Sequence, residues 1–204
     1  MTYNPQVHHR KSVRKKGNDY RHGSYFITIC AVNREWLFGE IKNEVMTLND
    51  LGQIVEKCWH EIPKHFSHVS LDAFIVMPNH IHGILTLNTS GRGIAPVQDH
   101  EGRGIACNAP TDAVIMKANE IPSSPQIFGK SSPGTLPVIV RAFKSATTRH
   151  INRLRNSPAT PIWQRNYYEH AIRNNEELQK IRMYIQDNPK HWFTDEEYSP
   201  PYSS

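Results

Sequence analysis

The pattern of hydrophobic and polar positions changes its period several times along the chain, and each period indicates an element. Short runs rich in β-branched and aromatic residues indicate strands, whereas apolar positions that recur every three or four residues indicate helices. Prolines and clusters of turn residues separate these runs. The pattern predicts strands over 25–31, 37–41 (the hairpin partner of the first), 69–78, 80–87 and 162–172, and helices over 48–66, 137–155 and 174–192.

The order of these elements is β-α-β-β-insertion-α-β-α, with mostly antiparallel strands. This order predicts an α+β domain in which helices pack on a sheet. The first helix is capped by Asn49 or Asp50, and Pro63 marks its end. The second helix has an apolar stripe, expected to pack on the sheet, and a basic stripe, expected to face outward. The apolar stripe consists of Ile139, Phe143, Ala146, His150 and Leu154, and the basic stripe of Arg141, Lys144 and Arg155.

The run from 69 to 87 contains two histidines on sequence that otherwise reads as buried strand. Pro78 and Asn79 interrupt the run, which indicates a bulge, a sheet edge or a tight hairpin turn. Because successive side chains of a strand point to opposite faces, His80 and His82 share one face and Ile81 lies on the other. Their Cα atoms then lie roughly 6.5 Å apart, so both imidazoles can bind one metal ion. The alternative is a pair of hydrogen-bonded structural histidines.

A tyrosine and an amide occur one turn apart in the last predicted helix. Leu178, Ile181 and Ile185 form its core stripe, while Tyr184 and Asn188 stand at positions i and i+4 and project from one face. Opposite the histidine strand, the asparagine carbonyl oxygen can complete a metal site. The phenol beside it can act as a covalent nucleophile.

Two other tyrosines compete for the role of nucleophile. Tyr167 and Tyr168 lie on strand-like sequence, where one of them is expected to pack inward and the other to stack on a base. Sequence spacing alone does not decide which of the three tyrosines is the nucleophile.

The composition changes after residue 88 to Gly, Pro, Ser, Asn and Asp, without any hydrophobic period. The motif GRGIA occurs at 91–95 and again at 102–106, which is typical of a low-complexity expansion. The chain has 204 residues, a length that fits one domain. The predicted organisation is a basic tail over 1–24, one domain over 25–192 interrupted by an insertion over 88–135, and a C-terminal tail over 193–204.

Three cysteines without close spacing argue against a disulfide framework and against a cysteine zinc cluster. The chain contains no run of about 18 apolar residues, so neither a membrane span nor a signal peptide is expected. These features favour a reducing cytoplasm.

The basic residues are concentrated in two segments. The formal net charge is +5 with a pI near 9.1, which is compatible with nucleic-acid binding. The first 24 residues contain a single acid, and residues 137–165 contain none, so two anion-facing surfaces are predicted, although a solvated tail explains the first equally well. The candidate DNA-binding residues are Arg14, Lys15, Lys16, Arg141, Lys144, Arg155, Arg165, Tyr167, Tyr168 and Arg173.

Four motifs in order resemble a known family, the REP-associated tyrosine transposases, a branch of the single-tyrosine HUH transposases. They are MPNHIHGIL at 77–85, VRAFKSATT at 140–148, WQRNYYEHAIRNNEEL at 163–178 and MYIQDNP at 183–189. The resemblance extends over nearly all of the chain outside the insertion and the tails. It implies a ferredoxin-like HUH nuclease core and a catalytic domain over 25–192.

The resemblance also implies a chemistry. His80 and His82 would bind Mg²⁺ or Mn²⁺, Tyr184 would be the nucleophile, and Asn188 would stand where related transposases have a glutamine ligand. The implied enzyme is a single-stranded DNA endonuclease and strand transferase with a 5′-phosphotyrosine intermediate and no nucleotide cofactor.

The substrate and setting follow from the same resemblance. The substrate would be hairpin-forming DNA of REP-like repeats, and the implied processes are DNA transposition and recombination. The protein would be a monomer or homodimer at the bacterial nucleoid, in the cytoplasm, without membrane contact. The alternatives are a nucleic-acid-binding protein that no longer cleaves, or a structural zinc site on an interaction domain.

Overall fold

The computed structural model describes residues 20–88, 133–195 and 197–198. Six strands and four α-helices lie in these ranges, together with two 3-10 segments, Val32–Arg34 and Asn188–Thr194. The elements are β1 (Gly23–Cys30), β2 (Gly39–Lys42), β3 (Val45–Leu48), α1 (Asp50–His60), α2 (Ile62–His65), β4 (Val69–Val76), β5 (His80–Leu87), α3 (Leu136–Leu154), β6 (Tyr168–Ile172) and α4 (Asn175–Asp187).

Four strands form one sheet in the order β4-β5-β1-β6, and every neighbouring pair is antiparallel. This confirms the predicted α+β class with a mostly antiparallel sheet. The break at Pro78 and Asn79 is the tight turn of the β4-β5 hairpin, which was one of the three predicted alternatives.

The predicted pairing of 37–41 with β1 is wrong. Strand β2 instead pairs with β3 in a separate two-stranded sheet. The reason lies in the turn, because Asn43 and Glu44 both have positive φ, 50° and 61°. Two such residues between strands match the twist of a tight hairpin and favour local pairing over pairing with β1.

One face of the main sheet packs against α1 and α3. A Cβ on Gly83 would lie 2.4 Å from Cζ2 of Trp59, so only glycine allows the α1 indole to lie this close to β5. Trp59 also stacks on Phe74 of β4, with ring centroids 4.4 Å apart, and meets the ring edge of Phe143 of α3. We call this side of the sheet the core face.

The predicted apolar stripe of α3 is only partly correct. Ile139 and Phe143 are buried, but His150 and Leu154 are exposed. Thr147 takes a place in the true stripe because its hydroxyl donates to Phe143 O and accepts from Trp163 Nε1. The buried residues of α3 are Leu136, Pro137, Ile139, Val140, Phe143, Thr147, Ile151 and Asn152.

Several predicted boundaries differ from the structure. Pro63 lies in the first turn of α2 rather than at the end of a longer helix. Strand β6 begins at Tyr168, and the earlier part of the predicted strand contributes one isolated bridge, between Trp163 and Ala31. Tyr20 is buried and β1 starts at Gly23, so residues 20–24 belong to the fold.

Most of the predicted insertion, including both GRGIA repeats, lies outside the described residues. Its two described ends meet at His68, whose backbone carbonyl accepts from Asn88 N and whose Nε2 lies 2.8 Å from Gly134 O. No helix among the described residues has the length and apolar character needed to cross a membrane.

Candidate active site

The two histidines of β5 lie side by side on the sheet face opposite to the core face. They are almost fully buried, with 0% and 2% exposure for His80 and His82. Their Nε2 atoms are 2.9 Å apart. The alternation of the strand therefore brings both ring nitrogens to one point, as the sequence predicts. We call this side of the sheet the site face.

The tautomer of His80 is fixed by its neighbour. The amide nitrogen of Asn79 donates to the carbonyl of Glu197 at 2.9 Å and to that of Arg34 at 3.3 Å. The amide oxygen of Asn79 therefore faces His80 Nδ1, 2.8 Å away, and accepts its proton. His80 Nε2 then presents a lone pair toward His82, which is the arrangement that metal-binding histidines have.

His82 is oriented in a similar way from β1. Its Nδ1 lies 2.9 Å from Thr28 Oγ1, and Thr28 is its register partner. When Nδ1 donates to this hydroxyl, the Nε2 lone pairs of His80 and His82 face one another and repel unless a cation lies between them.

Burial keeps both imidazoles neutral at pH 7. Burial, with the nearby His82 and Arg34, holds the pKa of His80 well below 6.5. Burial also lowers the pKa of His82 to about 4, against the opposing effect of the Asp195 carboxylate. Neutral imidazoles are the form that binds metal ions.

The α4 helix brings Tyr184 to the same point. Its Oη is 3.3 Å from His82 Nε2 and donates to Asp195 Oδ2 at 3.1 Å. The ring also meets Phe26 of β1 edge-on, at a centroid distance of 6.0 Å. Tyr184 remains 45% exposed, so a ligand can reach the phenol.

Asn188 lies one turn further, at the end of α4, and is buried. Its amide nitrogen donates to Asp195 Oδ2 at 2.7 Å. Its Oδ1 is buried and has no hydrogen-bond partner among the described residues. A buried carbonyl oxygen without a donor is costly unless something else, such as a cation, satisfies it.

The donor set fits a divalent cation. Three residues, His80, His82 and Asp195, each offer one ligand atom, and these atoms all lie within 4.8 Å of one another. Together they provide two neutral nitrogens and a carboxylate oxygen. The Asn188 oxygen calls for positive charge here, and so do the histidine lone pairs when Thr28 accepts from His82 Nδ1. Imidazole and carboxylate ligands suit several divalent ions, so the donor set does not select one.

Asp195 is the site residue that sequence reasoning missed. It lies eleven residues after Tyr184, beyond the 3-10 segment and within the predicted C-terminal tail. Its position depends on a cap, because Asp195 N donates to Trp192 O and Oδ1 accepts from Glu197 N. No sequence spacing signals an acid in this position.

The candidate DNA-binding residues fall into separate places. Arg165 and Arg173 are exposed near β6. Arg141 and Arg155 are exposed on or just after α3, which packs on the core face, so they lie on the opposite side of the sheet from Tyr184. Arg14, Lys15 and Lys16 lie outside the described residues.

Lys144 does not face outward as predicted. It is half-buried, and its ammonium donates to the backbone carbonyls of Gln164 and Arg165. Burial lowers its pKa to about 8. Lys144 thus ties α3 to the segment that leads into β6.

The two remaining tyrosines differ in environment. Tyr167 is half-buried against the core. Tyr168 is 55% exposed and lies opposite Thr28 on the site face, with its ring edge-on to Phe26.

Comparison with known proteins identifies a structure of similar fold and a relative of similar sequence. No family model matches the chain. The chain has the fold of an HUH tyrosine transposase. It aligns with the structure of the REP-associated tyrosine transposase bound to a REP hairpin at a TM-score of 0.50 and 20% identity, over 89% of this chain and 74% of that one. An uncharacterized protein of Haemophilus influenzae is 41% identical over 197 residues, which cover 96% of this chain and 97% of that protein. The chain belongs to the same family as this protein.

Proposed function

We propose that the protein is a metal-dependent single-stranded DNA endonuclease and strand transferase in which Tyr184 is the nucleophile. One observation carries the proposal: a half-exposed phenol lies within 3.3 Å of a buried imidazole pair and within 3.1 Å of a carboxylate. A protein that only binds DNA does not require a phenol beside a metal-binding cluster.

The reaction follows from the positions of the donors. The Tyr184 oxygen forms a bond to the scissile phosphorus, the bond from phosphorus to the 3′-oxygen breaks, and a 5′-phosphotyrosine and a 3′-hydroxyl result. Asp195 Oδ2 accepts a hydrogen bond from the phenol and can take its proton. A divalent ion held by His80, His82 and Asp195, with Asn188 as a further ligand, would polarise the phosphate.

The covalent link conserves the energy of the phosphodiester bond. Attack by a 3′-hydroxyl on the phosphotyrosine reverses the first step and joins two strands, so no nucleotide cofactor is required. We propose Mg²⁺ or Mn²⁺ as the ion because the Asp195 carboxylate and the Asn188 carbonyl are oxygen ligands of the kind these ions prefer; the two imidazoles also accept softer ions.

Tyr184 is favoured over the other two tyrosines by its environment. Tyr167 packs against the core. The ring of Tyr168 lies edge-on to that of Phe26, with the two centroids 6.2 Å apart. Tyr168 is exposed on the same face as Thr28 and is suited to stack on a base near the scissile phosphate.

The substrate class comes from the structural relative, which was bound to a REP hairpin. We extend this class, hairpin-forming DNA with REP-like repeats, to the present chain. Arg165 and Arg173 are exposed near β6 and would hold phosphates close to the site. Arg141 and Arg155, on the far side of the sheet, would require a longer substrate that passes around the sheet edge.

The test is a covalent adduct on a denaturing gel. The protein is incubated with single-stranded hairpin oligonucleotides of REP-like sequence and either Mg²⁺ or Mn²⁺, and a slower band identifies the phosphotyrosine. Tyr184→Phe should lose the band and keep its DNA affinity, because the change removes one oxygen. The matched control Tyr168→Phe should keep the band.

The metal part of the proposal has its own variant. His80→Ala with His82→Ala should abolish the band while DNA affinity stays within about tenfold, or about 1.4 kcal/mol.

Adduct formation by Tyr184→Phe would refute the nucleophile assignment. If the wild type binds hairpins and forms no adduct with either ion, the protein is a binding protein with the transposase fold.

A further inference from the structure

The helix that holds Tyr184 is packed loosely. Ile185 is the one residue of α4 that is fully buried, and Leu178 and Ile181 are half-buried. Apolar burial alone therefore gives α4 little resistance to sliding or rotating on the sheet. Polar contacts have to fix its position, and one of them, between His170 of β6 and Glu177, holds the first turn of α4, away from Tyr184.

A further contact with α4 comes from β4, which has a β-bulge at Asp72 and Ala73. Leu71 pairs with Leu85 and Phe74 pairs with Gly83, so two residues of β4 lie opposite Ile84 alone. The extra residue keeps Leu71 and Phe74 on the core face although they are three apart. Asp72 follows Leu71 in the alternation of the strand and therefore points to the side of the sheet where α4 lies.

Asp72 forms a bidentate ion pair with Arg182 of α4. Arg182 Nε donates to Asp72 Oδ1 at 2.8 Å, and Nη2 donates to Oδ2 at 2.6 Å. Both side chains are mostly covered, with 24% and 35% exposure. The hydrogen bonds from Arg182 lower the pKa of Asp72, so the pair is charged at neutral pH. Such a two-point contact fixes direction as well as distance.

The positions of Arg182 and Tyr184 around the axis of α4 explain how the ion pair can affect the phenol. At 100° per residue, Arg182 and Tyr184 flank the stripe of Leu178, Ile181 and Ile185 on opposite sides. On a helix with an outer radius of roughly 5–6 Å, a rotation of about 10° moves a side-chain tip by about 1 Å. A displacement of about 1 Å at a reacting group can slow a reaction by about a hundredfold.

We propose that the Asp72–Arg182 pair is a positioning device that sets the rotation of α4 and so aims the Tyr184 oxygen at the phosphate. The inference deepens the proposed function and rests on it. Asp72 and Arg182 act through Tyr184 and do not contact the substrate phosphate themselves.

The kinetic test separates positioning from binding. Asp72→Asn and Arg182→Gln should each lower the rate of adduct formation at saturating hairpin DNA by about ten- to a hundredfold, with DNA affinity changed less than threefold. Arg182→Lys should recover part of the rate, because it restores the charge but not the bidentate geometry. Glu176→Gln is the matched control: its pair with Lys180 is exposed on the same helix, and its loss should leave the rate unchanged.

A second measurement does not depend on activity. Hydrogen exchange should show faster exchange of the α4 amides in Asp72→Asn and Arg182→Gln, and unchanged exchange in β1 and β5. Wild-type rates in both variants, or unchanged α4 exchange, would overturn the positioning role. If the wild type forms no adduct, the proposed function fails, and the exchange result alone decides whether the pair fixes α4.

Discussion

The two faces of the sheet differ in the residues that β5 gives to each. Ile81, Gly83 and Leu85 point to the core face, where Trp59 lies directly on the glycine. His80 and His82 alternate with them on the site face, under α4 and the segment around Asp195. One strand thus supplies both close apolar packing and the candidate chemistry.

The difference teaches how the fold separates stability from reactivity. The core face is covered by two helices with many buried apolar residues. The site face is covered by one loosely packed helix and by the 3-10 segment that contains Trp192, and its two buried histidines are each oriented by a single hydrogen bond, to Thr28 or Asn79. Substitutions on the core face should change unfolding, and substitutions on the site face should change chemistry.

The largest expected effect is on the core face. Trp59→Ala should lower the free energy of unfolding by about 3–5 kcal/mol, because a buried indole is removed and Gly83 and Phe74 lose their packing partner. Tyr184→Phe should change it by less than about 0.5 kcal/mol. Urea unfolding followed by circular dichroism measures both. Equal losses in the two variants would contradict the separation of the faces.

A metal ion should stabilise the protein only through the site face. At a hundred times its dissociation constant, Mn²⁺ should add about 2.7 kcal/mol and raise the melting temperature by about 5–10 °C. A chelator should reverse the shift. His80→Ala with His82→Ala should abolish it, whereas the control His170→Ala, which removes a site-face histidine paired with Glu177, should keep it. The same shift in the double variant would exclude these histidines as ligands.

The reactivity of Cys30, the register partner of His80, shows whether the segment that contains Glu197 covers the site face. Its thiol donates to Glu197 Oε2 at 3.2 Å, and burial, with the charge of Glu197, raises its pKa to about 12. Iodoacetamide at pH 8.5 should therefore modify Cys30 at least about a hundredfold more slowly than free cysteine, because little thiolate is present. Glu197→Gln should raise the rate, because it removes the charge and the acceptor that oppose the thiolate. Peptide mass spectrometry measures the rate, and wild-type modification as fast as that of free cysteine would show that the segment does not cover this residue.

Sequence periodicity predicted the elements better than their partners. The histidine pair followed from alternation along β5. The predicted start of the last helix at 174 is also confirmed, because Asn174 is the N-cap of α4 and its side chain accepts from Glu177 N. These are local properties of the chain. The β2-β3 pairing depended on a turn conformation, and Asp195 reached the site through a cap beyond a 3-10 segment.

The burial pattern of α3 is a second example in which the sequence pattern did not predict contacts between elements. Hydrophobicity placed His150 and Leu154 in the stripe, but the helix buries Thr147 and Asn152 there. The Thr147 hydroxyl accepts from Trp163 Nε1, and the amide nitrogen of Asn152 donates to the carbonyl of Thr160. A pattern of single residues does not contain such pairings, which arise only when the chain has folded.

The smallest expected effect comes from shortening the connection between β5 and α3. Deletion of 90–132 should change the free energy of unfolding by less than about 1 kcal/mol, because loop closure depends weakly on length and this polar sequence has no hydrophobic period. His68 already holds both described ends, through its carbonyl to Asn88 N and its ring to Gly134 O. His68→Ala in the shortened protein should therefore cost more than the deletion itself. Thermal unfolding measures both variants, and a collapse of stability in the simple deletion would show that the segment supplies part of the core face.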